Sequence, residues 1–178
     1  KIVSNTDLTS GANFGLMEWG SNNNSRTKIL VPISDNGASR IFRQVNRIRA
    51  VGGTRPVFAI DKAYKYYTGQ TNFGAVPNYG ETCAQNYIIF ISDGQWSNHS
   101  TFLSRLTNMK NQDQGKLIKT FVVGFAVGGN TNNYTTAATA GGTNTPLFAD
   151  NESELLATLT AAIKQAISGR LTFTTPAV

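Results

Sequence analysis

The sequence predicts an α/β protein: a three-layer sandwich with helices on both faces of a doubly wound, mostly parallel sheet. Two observations lead to this class. Segments with helical spacing alternate with short apolar segments, and most of the apolar segments lack a polar face, as is typical of strands covered on both sides. The 178 residues are 40% hydrophobic, enough for one domain with a core. We expect this domain at 1–169, followed at 170–178 by an extended linker into a further domain.

The first predicted elements form an antiparallel pair of strands. Residues 13–19 alternate between two largely apolar faces, and residues 28–33 form a second apolar segment after a polar turn. Pro32 has no amide hydrogen to donate to a ladder, which places the second strand at a sheet edge. The short connection between the two segments favours a hairpin, so this edge strand is expected to be antiparallel.

Two helices follow this pair. The first is predicted over residues 38–48, where apolar residues recur at helical spacing. Gly52 and Gly53 end it. Thr54 is then a candidate N-cap for a helix over residues 56–67, which has a proline in its first turn.

The second half of the chain alternates regularly between strands and helices. A long polar loop at 68–85 comes first. Strands are predicted at 87–91, 118–125 and 146–149, and helices at 100–111, 133–140 and from Asn151 or Ser153 to 167. The strand at 87–91 is an uninterrupted apolar run, the pattern of a buried parallel strand.

Composition excludes several classes of function. The net charge is +6, but the basic residues are scattered and lack the interleaved aromatic residues of a nucleic-acid interface, so we expect no nucleic-acid binding. No apolar run of about 18 residues is present, so we expect no membrane span. The abundance of asparagine, threonine, serine and glycine is common on secreted surfaces.

We also expect the protein not to be an enzyme. The sequence has no recognisable Ser/His/Asp set, Cys/His pair or phosphate-binding loop. His99 is the only histidine, and it is expected to be a solvated residue at a helix start or to line the rim of a site. Cys83 is the only cysteine, either a buried free thiol or the partner of a cysteine elsewhere.

Two polar segments stand where a site would form in such a fold. Gly53-Thr54 precedes a helix, and Asp93-Gly94 ends a buried strand. Ligands of doubly wound sheets bind at the carboxyl ends of strands, where loops can direct several oxygen atoms at one hard cation. Taken singly, Thr54 is better explained as an N-cap and Asp93 as a turn residue, and only the two together in this order of elements favour a metal site.

The order of these elements resembles a von Willebrand factor A domain over nearly the whole chain. Residues 12–19 are similar to the second strand of that family, and residues 147–150 with Glu154-Leu155 are similar to its closing strand and helix. Gly53-Thr54 and Asp93-Gly94 resemble the second and third motifs of its metal-ion-dependent adhesion site. The sequence departs from the family at Arg55, where a proline is common, and in lacking the first motif.

That first motif is a central strand ending in Asp-x-Ser-x-Ser. Asp7-Leu8-Thr9-Ser10 looks like it, but no apolar strand precedes it and it leads directly into the segment that matches the second strand. The resemblance therefore implies that the central first strand, which would lie between 13–19 and 87–91, is absent from this chain. We expect an upstream segment or another chain to supply it, because its absence leaves two backbone ladders unpaired.

A narrower resemblance is to the von Willebrand A domain of bacterial type IV pilus tip adhesins. It rests on Phe14-Gly15-Leu16-Met17, on the run from Cys83 to Gly94, and on Phe173-Thr174-Thr175-Pro176-Ala177-Val178. It implies an extracellular adhesion or assembly module at a pilus tip, with protein or host-surface ligands and other pilus subunits as partners. The alternative is a structural filament-tip domain whose site is degenerate and metal-free.

The resemblance also assigns residues to the site. Thr54 and Asp93 are the expected ligands of Mg²⁺ (or Ca²⁺ or Mn²⁺), provided that the Asp-x-Ser-x-Ser strand is present. Gly53, Arg55, Gly94 and Trp96 are expected at the ligand-binding rim, although anchoring of the loop by Trp96 explains that residue equally well. Two ligands alone are expected to bind the cation weakly or not at all.

Overall fold

The computed structural model of the chain describes residues 2–20, 27–49, 53–74, 76–77, 84–111 and 117–168. The predictions for Gly52, Cys83 and the 170–178 linker lie outside these residues. No helix in the described ranges is both long and apolar enough to cross a membrane.

The described residues contain every strand and helix that the sequence predicts there, with ends shifted by up to four residues. The strands are β1 (Phe14–Glu18), β2 (Lys28–Ser34), β3 (Asn86–Ser92), β4 (Ile118–Phe125) and β5 (Leu147–Ala149). The helices are α1 (Thr6–Thr9), α2 (Gly37–Gln44), α3 (Pro56–Tyr67), α4 (His99–Lys110), α5 (Asn132–Ala140) and α6 (Glu152–Ser168).

Three local details differ from the prediction. The short helix α1 is not among the predicted elements. The helix expected over 38–48 ends as an α-helix at Gln44 and continues as a 3₁₀ turn over Val45–Arg47. Of the two predicted caps of α6, Asn151 is correct. Its side-chain oxygen accepts a hydrogen bond from the Glu154 backbone amide at 3.0 Å, as an N-cap does. The Glu154 carboxylate in turn accepts from the Asn151 side-chain amide and from the Asp150 backbone amide.

The strands form two separate sheets in the described part of the chain. β1 and β2 pair antiparallel, as predicted, with Met17 opposite Ile29. The other sheet is parallel, in the order β3–β4–β5, with Asn86 opposite Ile118 and Val123 opposite Leu147. The α/β class and the parallel sheet are therefore confirmed. One continuous, doubly wound sheet is not, because no described strand joins β1 to β3.

Helices cover both faces of the parallel sheet. Ile118 and Val122 of β4 belong to the main core cluster, which includes residues of α3, α4 and α5. Phe121 and Val123 point to the opposite face of the strand and are also buried. Helix α6, whose Ala162 and Ile163 are buried, packs against β4 and β5 separately from that cluster.

Helix α3 connects the two sheets. The Tyr66 hydroxyl accepts the Ile33 amide of β2 at 2.8 Å, and the Tyr67 hydroxyl donates to the Tyr87 carbonyl of β3 at 3.1 Å. Next to β1, the ring of Trp19 stacks on Phe90 of β3 with centroids 5.1 Å apart. The two sheets are thus packed together through side chains although no backbone ladder joins them.

Candidate functional site

The candidate site lies at the carboxyl end of β3. The strand ends at Ser92, and Asp93 and Gly94 begin the loop that leads to α4. The side chain of Asp93 is exposed, whereas Ser92 is buried. In a parallel sheet this is the edge at which ligands bind.

Thr54 and the Asp93 loop meet at this edge. The Ser97 amide donates to the Thr54 carbonyl at 3.3 Å, and the Ser97 hydroxyl approaches the same oxygen at 3.5 Å. Thr54 therefore contacts the loop that begins at Asp93, through Ser97. Their hydrogen bond fixes the backbone before α3 against the loop after β3.

Thr54 is not the N-cap of α3, so that prediction is wrong. Arg55 occupies the cap position without a side-chain hydrogen bond to the helix, and Pro56 starts the first turn, as expected. A residue before proline is restricted to non-helical backbone, which shifts the boundary to Arg55. The simplest structural explanation of Thr54 is thereby removed.

Tyr134 of α5 fixes the backbone on either side of Asp93. Its hydroxyl lies 2.7 Å from the Gly94 carbonyl and 3.3 Å from the Ser92 carbonyl. The side chain is fully buried, and this burial raises the pKa of the phenol. Asp93 consequently projects from a turn whose two flanking carbonyls contact one buried side chain of α5. This role of Tyr134 was not predicted, although Tyr134 is the one large residue in an Asn/Thr/Ala helix.

Trp96 is part of the core and not of the rim, which corrects the rim assignment. Only 6% of it is exposed, because its ring packs among Phe90, Phe102 and Tyr134 with centroid distances of 4.8 to 5.6 Å. A large aromatic surface gains more from this burial than from contact with solvent. Trp96 therefore anchors the loop from beneath.

His99 begins α4, as expected, but its ring is partly buried and both of its nitrogens are hydrogen-bonded to side chains. Its Nδ1 accepts the Trp96 indole N–H at 3.0 Å, and its Nε2 lies 2.8 Å from the Thr136 hydroxyl. Because Nδ1 accepts a hydrogen bond, it carries no proton, and the ring is therefore the neutral tautomer with its proton on Nε2. Burial lowers the pKa of His99, which favours the same neutral form.

The remaining rim residues stay at the surface of the site. Gly53 is exposed, and Arg55 and Gly94 are partly exposed. Across the loop, the Gln95 side-chain amide donates to the Asn130 carbonyl, which ties the loop after β3 to the loop after β4. The site is thus a shallow polar edge above a rigid aromatic cluster.

These residues alone do not fit a divalent cation. Asp93 supplies one carboxylate and Thr54 one hydroxyl, and the described ranges contain no group of three or more His, Cys, Asp or Glu side chains suited to a metal. Mg²⁺ requires near-octahedral oxygen coordination. Asp7-Leu8-Thr9-Ser10 does not end a strand, since most of it lies in α1, so its rejection as the missing motif is supported.

Comparisons with known protein families and curated proteins find no match.

Proposed function

We propose that the chain is a non-catalytic adhesion or assembly module of the von Willebrand A type, exposed at the tip of a bacterial type IV pilus. In this role it binds a protein or host-surface ligand at the edge formed by Thr54 and Asp93, and it contacts other pilus subunits. The pilus location rests on the sequence resemblance alone.

The observation that supports the adhesion proposal is the contact between Thr54 and the loop that begins at Asp93. Ser97 links Thr54 to the loop that begins at Asp93, and Tyr134 holds the turn around that carboxylate. Asp93 is exposed on a rigid base, an arrangement suited to binding a partner. Thr54, Tyr134 of α5 and Asn130 after β4 all contact this loop, which is more support than a simple turn residue requires.

The proposal also includes a strand supplied by an upstream segment or by another chain. The edge of β3 opposite β4 and the edge of β1 opposite β2 have no partner strand among the described residues. Helix α3 and the Trp19–Phe90 contact hold the sheet of β1 and β2 against the sheet of β3, β4 and β5. An added strand ending in Asp-x-Ser-x-Ser would satisfy both ladders and bring further oxygen ligands to Asp93 and Thr54. Cation dependence, with Mg²⁺, Ca²⁺ or Mn²⁺, is proposed only for that completed form.

A second candidate is a structural filament-tip domain with a metal-free site. It is favoured by the lack of metal ligands in the described part of the chain. Asp93 is the only carboxylate predicted as a ligand, and the described residues contain no group of three or more His, Cys, Asp or Glu side chains that could hold a metal ion. In this case the Thr54–Ser97 link serves only to fix α3 against the sheet.

Adherence to cells separates the two candidates. Beads coated with the chain are applied to epithelial monolayers in Mg²⁺, and the Asp93→Ala variant is compared with Asp150→Ala. Asp150 is a matched control because it is also an exposed aspartate directly after a strand of the parallel sheet. We expect Asp93→Ala to lose most of the adherence while Asp150→Ala keeps it.

Equal adherence of both variants and the parent chain would contradict a binding role for Asp93 and leave the structural candidate. Thermal unfolding of each variant shows that a loss is not due to misfolding, because exposed aspartates contribute little to stability. Chelation of divalent ions by EDTA tests the metal separately. Adherence that depends on Asp93 but is insensitive to EDTA would support adhesion without a cation.

A further inference from the structure

The surface of α2 and the 3₁₀ turn after it exposes an unusual amount of apolar side chain. Phe42 is 57% exposed, Val45 45% and Ile48 37%. The neighbouring Ile41 is buried and attaches α2 to the domain. Phe42 thus lies on an anchored helix, Val45 begins the 3₁₀ turn after it, and Ile48 follows that turn.

Arginines lie beside these apolar residues on the same surface. Arg40, Arg43, Arg47 and Arg49 fall within ten residues, and no acidic residue occurs between Asn36 and Arg49. None of the four arginines forms a salt bridge with another described residue. Arg43, Arg47 and Arg49 are exposed, as are Phe42, Val45 and Ile48, so exposed cations and exposed apolar side chains alternate along residues 42–49.

We propose that this basic face, formed by the exposed residues Phe42, Arg43, Val45, Arg47, Ile48 and Arg49, binds an anionic lipid surface. Arg40 is only partly exposed and interacts electrostatically with Tyr66. Helices with exposed aromatic and aliphatic residues beside a basic flank lie in the headgroup region, with the apolar side chains inserted and the cations near lipid phosphates. The charge of the face selects an anionic occupant. A second copy of the chain would bring like charges together, since the chain carries +6.

Nucleic acid fits the face less well than lipid. It would account for the arginines but would leave the aliphatic side chains of Val45 and Ile48 against a phosphate backbone. A lipid interface accommodates both kinds of side chain. The inference is independent of the adhesion proposal, because none of its residues belongs to the Thr54–Asp93 edge.

Co-sedimentation of the 178-residue chain with vesicles tests the proposal. One set of vesicles contains phosphatidylcholine alone, and the other contains phosphatidylcholine with phosphatidylglycerol. We expect binding only to the anionic vesicles, with affinity falling as salt is raised. Arg43→Gln with Arg47→Gln should weaken binding roughly 25-fold, at about five-fold per charge near the surface.

The apolar half of the face needs its own variant. Phe42→Ser with Val45→Ser keeps all four arginines, and we expect it to weaken binding about ten-fold or more. Matched controls carry the same kinds of change at exposed positions elsewhere: Phe73→Ser with Leu117→Ser, and Lys119→Gln with Lys164→Gln. These controls should bind as the parent chain does.

Three outcomes would overturn the assignment. The first is equal binding to both kinds of vesicle, or to neither. The second is an equal loss in the controls, which would mean that overall charge or apolarity decides. The third is binding to polyglutamate but not to anionic vesicles, which would assign the face to an acidic polypeptide. Because the substituted side chains are exposed, circular dichroism should show every variant folded.

Discussion

Strands β3 and β4 are neighbours with similar apolar sequences, yet the structure buries them to different extents. In β4, Ile118 and Val122 are fully buried. In β3, Ile91 is 38% exposed and its neighbours Ile88 and Ile89 are only partly buried. β4 pairs with β3 on one side and with β5 on the other, whereas β3 pairs only with β4 in the described residues.

The difference shows that β3 is more apolar than its position requires, since it lies at a sheet edge and is only partly covered. A strand without a polar face is typical of the middle of a sheet that is covered on both sides. β3 has such a sequence but lies at the edge of its three-stranded sheet. An unpaired apolar edge is a site for strand addition or aggregation, which native proteins otherwise avoid.

The largest expected effect is a difference in the stability lost when either of two isoleucines is replaced by alanine. Ile118→Ala in β4 removes a fully buried side chain and should lower the free energy of unfolding by about 2–5 kcal/mol. Ile91→Ala in β3 should cost under about 1 kcal/mol, because much of that side chain is already in contact with water. Urea unfolding of both variants measures the difference. Equal costs would mean that β3 is as well covered in solution as β4.

A smaller effect is expected where α5 holds the end of β3. Tyr134→Phe keeps the ring but removes the hydroxyl that bonds the carbonyls of Ser92 and Gly94, and the Gly94 carbonyl then keeps the Ser92 hydroxyl at 3.2 Å as its side-chain donor. We expect a loss of about 1–2 kcal/mol in the free energy of unfolding. Tyr64→Phe is the control, since Tyr64 is only partly buried and should change stability by less than about 0.5 kcal/mol. A neutral Tyr134→Phe would show that the turn at Asp93 is held by other contacts.

The smallest effect concerns pH. Burial lowers the pKa of His99 below its ordinary 6.5, so the unfolded chain takes up the proton before the folded chain does. The contribution of neutral His99 is therefore present above pH 6.5 and is lost as the pH falls through the folded-state pKa. Protonation also places a second N–H opposite the Trp96 indole donor. His99→Gln should flatten this part of the stability profile, and an unchanged profile would contradict the assignment.

Much of the fold could be predicted because local signals agree with it. Helix α3 begins and ends where Pro56 and the apolar spacing place it. The antiparallel pairing of β2 and the separation of β1 from β3 were both expected. The end of α2 was misplaced because the apolar spacing continues through Val45 and Ile48, while the backbone tightens to a 3₁₀ turn.

The sequence predicted where the site lies, but not the side chains that hold its loop in place. The proximity of Thr54 to the Asp93 loop follows from the carboxyl edge of the sheet and from the family resemblance. The roles of Trp96 and His99 depend on Tyr134 and Thr136, which are more than thirty residues away in the chain and come close only through packing of α5. No spacing within the 93–99 segment signals those contacts.

Amide hydrogen exchange tests the central claim most directly: that β3 presents an unpaired edge which an added strand can occupy. Alternate amides of β3 point away from β4, and we expect them to exchange much faster than the amides of Val123–Phe125, where β4 pairs on both sides. Uniform protection along β3, equal to that of β4, would contradict the claim, because it would show that the chain already pairs this edge by itself.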